Sequence, residues 1–145
     1  MRRSKAQKNP DMRRERFSRY FPRLFGYAYG LTGDAETAKE ATVAAFATVL
    51  REDQLTEADF AHALFTAARH LCLKHRSPSR EGLTAIEHEI VTLLFDAQLS
   101  RAEVEHLLGV GSETVVTSLV SGLKKLRAFS PAPSQPATGL QTLSA

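Results

Sequence analysis

The amino-acid sequence predicts an all-α fold of two small helical domains, a three-helix unit over residues 11–76 and a helix-turn-helix unit over 84–129. Three observations carry this. Apolar residues recur at three- and four-residue spacing along most of the chain, with no alternating stretch that reads as a strand. The stretch Ser77-Pro78-Ser79 interrupts that periodicity near the middle. Beyond it, a short capped segment, a glycine and a second capped segment follow in the order of a helix-turn-helix.

The elements read as follows. Residues 1–10 are polar and charged and end in Pro10, which reads as a disordered basic arm. From about Asp11 to Leu31, Phe17, Tyr20, Phe21, Leu24, Phe25, Ala28 and Leu31 form one apolar stripe, with Pro22 as a point of kink or restart. Gly33 is a stop signal, and Asp34 caps a second helix over about Ala35 to Arg51 with Ala38, Ala41, Ala45, Phe46 and Val49 inward. A third helix, about Glu57 to Arg76, carries Phe60, Leu64, Ala67, Ala68, Leu71 and Leu73. Residues 77–83 are a short linker. Thr84 then caps a helix through about Asp96 with Ile86, Ile90, Leu93 and Leu94 apolar. Ser100 and Glu103 form a capping box, and Val104, Leu107 and Leu108 are the inner face of the helix they start. Gly109 stands where the chain must turn with positive φ. Ser112 caps the last helix, to about Phe129, with Val115, Leu119, Leu123 and Leu126 inward. Residues 130–145 hold three of the six prolines and no charge, and read as a flexible tail.

Bulk properties exclude several function classes. With 43% apolar and 24% charged residues in 145, the chain matches a globular protein of one ordinary domain or two very small ones. No apolar run approaches the roughly 18–20 residues that span a bilayer, and no apolar segment of a signal peptide follows the basic N-terminus, so no membrane association and a cytoplasmic location are expected. Cys72 is the single cysteine, so an intrachain disulfide and a cysteine-based zinc site are excluded, and it reads as a small core residue. His62, His70 and His75 lack the spacing of a helical zinc site, and His88 and His106 stand alone. Gly26, Gly30 and Gly33 lack the spacing of a phosphate loop. No nucleophile constellation assembles, so no enzyme activity, metal or cofactor is expected.

Charge is unevenly distributed. Residues 1–23 carry nine basic and two acidic side chains, whereas the rest of the chain sums to −4. A basic arm of this kind serves either as a phosphate contact or as a solvated tail.

The order of motifs is familiar. The segment RYFPRLFGYAYGLTGDAETAKEATVAAFATVL, with Tyr20, Pro22, Arg23, Leu24, Leu31, Gly33, Asp34, Ala35, Glu36, Ala38, Phe46 and Val49 on the pattern, resembles region 2 of bacterial RNA polymerase sigma factors of the extracytoplasmic-function group. ADFAHALFTAARHLCLKHR is similar to the helix that follows, through Phe60, Leu64, Ala68 and Arg69. LTAIEHEIVTLLFDAQLSRAEVEHLLGVGSETVVTSLVSGLKKL resembles region 4 through Leu83, Glu89, Leu99, Ser100, Glu103, Leu108, Gly109, Thr114, Val115, Lys124, Lys125 and Leu126. The resemblance covers residues 16–128. It implies a non-catalytic protein that binds core RNA polymerase through region 2 and promoter DNA through both regions.

The departures from that pattern fall on the implied contact surfaces. On the second helix, where the family shows acidic residues and a Gln-Glu pair, this chain has Lys39, Val43 and Ala44, while Asp34, Glu36 and Glu40 keep some acidity. On the third helix the family's Trp is Ala63 and its Asn is His70, which leaves few aromatic surfaces for unpaired bases. The basic end of that helix, Arg69, Lys74, His75 and Arg76, serves either phosphates or its own helix dipole. On the last helix, base readers are usually Arg, Lys, Asn or Gln, yet the stretch reads Val116, Thr117, Ser118, Leu119, Val120, Ser121, Gly122. Residues 83–129 hold four basic and six acidic side chains, against the basic footprint of a DNA reader.

Two functions are therefore expected. In one, the chain is a sigma factor whose DNA contacts are Arg69, Lys74, His75, Arg76, Ser112, Thr114, Thr117, Ser118, Lys124 and Lys125. In the other, it is a sigma mimic that binds an anti-sigma factor or another regulator without reading DNA. The partner contacts, to polymerase or to that regulator, would be Asp34, Glu36, Lys39, Glu40, Val43, Val116 and Val120. An αα-hairpin without any nucleic-acid role fits the same C-terminal pattern.

Overall fold

A computed structural model describes residues 2–52, 54–78 and 81–129, with the backbone alone for 2–9 and 129. Six α-helices and one π-helical turn make up the described residues: α1 (Arg2–Thr32), α2 (Ala35–Val49), α3 (Glu57–Leu73), α4 (Ala85–Val91), the π-turn (Thr92–Asp96), α5 (Arg101–Leu108) and α6 (Ser112–Phe129). No strand occurs among them, so the fold is all-α.

Side-chain caps set the helix starts. Asp34 accepts the N–H of Thr37 at 2.8 Å and opens α2; Thr56 accepts that of Asp59 at 3.1 Å and opens α3. Thr84 with Glu87 and Ser100 with Glu103 form reciprocal capping boxes at α4 and α5. Gly109 ends α5 in the left-handed region, at φ 68°, as its place in the turn requires.

Several boundaries differ from the sequence-based expectation. α1 begins at Arg2, within the segment expected to be a disordered arm, and continues through Pro10 and Pro22 without restarting. Residues 2–8 are mostly good helix formers, and each proline removes only one backbone donor from a long helix. α3 stops at Leu73 rather than Arg76, because Lys74 caps it and the His75 N–H turns back to Cys72. The position before Pro78 also disfavours helix. The proline-rich tail, 130–145, lies outside the described residues, as do 79 and 80 of the expected linker.

α1, α2 and α3 pack on one another, and α6 packs on α4 and α5. The two halves also touch: α1 lies against the π-turn, and α3 against α5. Their buried side chains form one cluster, from Tyr20, Leu24 and Tyr27 through Phe60 and Phe65 to Ile90, Leu93, Val104 and Val115. Gly30 permits the close approach of α1 to the π-turn, since a Cβ there would stand 2.8 Å from Thr92 Cγ2. Arg23 fastens the same seam by donating to the carbonyls of Ala97 at 2.8 Å and Gln98 at 3.2 Å.

Candidate functional site

α5, the turn at Gly109 and α6 occupy the segment expected to form a helix-turn-helix, and the 3.6-residue period decides which side chains α6 presents. Val115 is buried, Leu119 and Leu126 are half-buried, and Gly122 lies against α4, where an added Cβ would meet Val91 Cγ2 at 3.2 Å. Leu123, expected on that inner face, is instead 40% exposed. The reason is angular: 115, 119, 122 and 126 share a face, and 123 lies one residue past it. The outer face therefore carries Val116, 41% exposed, Val120, 46% exposed, and Leu123 in one stripe. Glu113 stands exposed at its start and Arg127 at its end. Ser112, Thr114 and Thr117 are exposed beside the stripe, Ser118 is half-buried, and Lys124 is exposed.

The expected DNA-contacting cations divide into two sets. Arg69, Arg76 and Lys125 are engaged within the chain. Glu89, whose side chain is only 4% exposed, accepts Arg69 Nε at 2.6 Å, Arg69 Nη2 at 3.2 Å and the Tyr27 hydroxyl at 2.7 Å. Arg76 Nη1 stands 3.7 Å from the same carboxylate, and Arg76 also donates to the carbonyl of Ala85. Burial and the Glu89 charge hold the Tyr27 phenol protonated, its pKa raised well above the ordinary value. This cluster ties α1, α3 and α4 together across the two halves. None of its arginines reaches a phosphate without giving up a charge-assisted bond.

Lys125 belongs to a second cluster. Its Nζ lies 2.8 Å from Glu87, which also accepts the Ser121 hydroxyl at 2.7 Å and the Thr84 N–H at 2.9 Å. The Lys125 bond, then those of Ser121 and Thr84, lower the Glu87 pKa to about 2. Lys74 and His75 are exposed at the end of α3, and with Lys124 they are the expected phosphate contacts that have no ion pair among the described residues.

The basic N-terminal segment is likewise partly absorbed. Arg16 is buried, lies over the Phe60 ring and donates to the Leu55 carbonyl, and Arg19 pairs with Glu15 and Glu57. Comparison with known protein families, curated proteins and solved structures finds no match.

The expected partner residues on α2 lie on its outer side. Glu36, Lys39, Glu40 and Val43 are exposed, with Glu36 and Lys39 paired at 3.8 Å. Asp34 is exposed, but its carboxylate is bound by the Thr37 hydroxyl and N–H, which lower its pKa. Among the described residues no group of His, Cys, Asp and Glu fits a metal, and no helix is long and apolar enough to cross a membrane.

Sequence reading missed Tyr27 and the buried roles of Glu87 and Glu89. A signal was present in the spacing: Glu89 stands four residues before Leu93 and Glu87 three before Ile90, which sets both carboxylates beside apolar residues of the inner face. Two carboxylates on an inner face require cationic partners.

Proposed function

We propose that this chain is a sigma-like regulator that works by protein contact, with the outer face of α6 meeting a protein partner rather than base edges. The observation that carries the proposal is the exposed stripe of Val116, Val120 and Leu123 on the helix that a promoter reader would lay in the major groove. An apolar face of this kind gains by burial against another protein and gains little from the polar edges of bases. The excess of acidic side chains over 83–129 adds a repulsion toward phosphates. Engagement of Arg69, Arg76 and Lys125 within the chain supports the same reading, as does the shared core, which holds together two halves that a promoter reader would set on two separate DNA elements. On this proposal the outer side of α2, with Glu36, Lys39, Glu40 and Val43, is a second partner surface.

The test is selection from a randomised duplex pool by the purified chain. No enriched sequence is expected. An enriched motif whose affinity falls on Thr117→Ala or Ser118→Ala would overturn the proposal.

A second reading, a sigma factor proper, is favoured by one observation: Lys74, His75 and Lys124 are exposed cationic or titratable groups on α3 and α6. It requires initiation from some promoter when the chain is added to core RNA polymerase, and loss of that initiation on Lys74→Ala.

A further inference from the structure

The outer stripe of α6 has a charge pattern that says what fits it. Glu113, Val116, Val120, Leu123 and Arg127 are separated by three, four, three and four residues, and at 100° per residue all five fall within an arc of about 80°. The stripe is about 21 Å long, anionic at its N-terminal end, apolar in the middle and cationic at its C-terminal end. Neither Glu113 nor Arg127 has an ion-pair partner among the described residues.

A linear pattern of this kind is complementary to itself when reversed. We propose that the α6 faces of two copies of this chain pair antiparallel about a twofold axis at Val120. Residues 113 and 127 lie equally far to either side of 120, so Glu113 of one copy comes level with Arg127 of the other, and the contact occurs twice. Val120 meets Val120 of the second copy at the axis. Val116 comes level with Lys124 of the second copy and packs on its aliphatic stem, while Leu123 comes level with Thr117 and lies one residue, about 1.5 Å along the axis, from level with Val116. Parallel pairing would instead set Glu113 against Glu113 and Arg127 against Arg127, which disfavours that register.

This inference rests on the reading of the α6 face as a protein contact and names one occupant for it. Three half-exposed apolar residues per copy are a small seam, so the dimer is a weak one, with a dissociation constant on the order of 100 µM. Its consequence is regulatory. A heterologous partner that uses Val116 and Val120 competes with the second copy, so the chain hides this face at high local concentration and offers it when dilute.

Sedimentation equilibrium of the full chain over a range of concentrations tests the pairing. A reversible monomer–dimer equilibrium is expected. E113R alone and R127E alone each place like charges together twice, and each is expected to weaken the dimer about tenfold. An equimolar mixture of the two variants restores both ionic contacts and is expected to associate as tightly as the unaltered chain. Both positions of the test are exposed, and helicity by circular dichroism checks that each variant folds. A chain that stays monomeric at about ten times the expected dissociation constant overturns the pairing. So does a dimer that E113R and R127E leave unchanged. The broader reading fails separately, when a crosslinker on this face captures DNA, whether or not the chain dimerises.

Discussion

Glu89→Gln isolates the buried ionic contact among those that join the two halves. The carboxylate of Glu89 is nearly inaccessible and accepts three hydrogen bonds, two from Arg69 and one from Tyr27, with Arg76 within 3.7 Å. Breaking a fully buried ion pair by removing one partner costs about 3–5 kcal/mol. Two features reduce that here. The Arg69 and Arg76 side chains keep 33% and 20% of their surface, so water resolvates part of each stranded charge. Gln also retains an acceptor for the Tyr27 hydroxyl. A loss of about 2–3 kcal/mol is therefore expected. Urea unfolding of the full chain at neutral pH, followed by circular dichroism, reads it. Combined with Arg69→Met in a double-mutant cycle, the pair should show a coupling of about 1–2 kcal/mol. The continuous core also implies a single cooperative transition rather than one per half. A loss below about 0.5 kcal/mol, the scale of a surface pair, would refute the claim that Glu89 binds the halves together.

Other expectations follow from the same geometry. The Glu87 carboxyl titrates at about 2 in the folded chain and near 4.5 when unfolded, so its stabilising contribution is complete above pH 4.5 and is lost as the pH falls toward 2; Glu87→Gln should flatten the stability profile across that acid window in pH-dependent unfolding. Gly30→Ala places a Cβ 2.8 Å from Thr92 Cγ2 and should cost about 1–3 kcal/mol, whereas Gly26→Ala, at 3.4 Å from its nearest neighbour, should be neutral or slightly stabilising in thermal unfolding. Gly109→Ala adds no contact and should cost only the backbone penalty of a left-handed residue, about 1–2 kcal/mol. Cys72 is fully buried with its thiol pushed up to about 11, so alkylation at pH 8 should follow global unfolding rather than proceed in the native chain.

Local chemistry was largely legible in the sequence. Asp34, Thr84, Ser100 and Gly109 each act where capping and turn rules place them, because those rules depend on a few neighbouring residues. That Val116 and Val120 share a face was legible from their four-residue spacing, and the structure adds that this face is exposed. What the sequence did not disclose depends on tertiary partners. Arg69, Arg76 and Lys125 read as free cations at helix ends, and only the approach of α4 gives them Glu89 and Glu87. Leu123 read as inward because leucine outranks glycine as a core residue, yet Gly122 takes the inner position so that α6 can approach α4 closely. The one-core arrangement was hidden likewise, since small residues such as Gly30, at the crossing of α1 with the π-turn, carry no hydrophobic signal.

The most direct test of α6 as a protein-contact helix is a photo-crosslinking side chain at Val116, activated in the native cells of this protein. The expected adduct is to protein, destroyed by protease and indifferent to nuclease, and it should disappear when Val120→Asp is introduced. An adduct that nuclease removes, or none at all, would contradict the reading of this face as a protein contact.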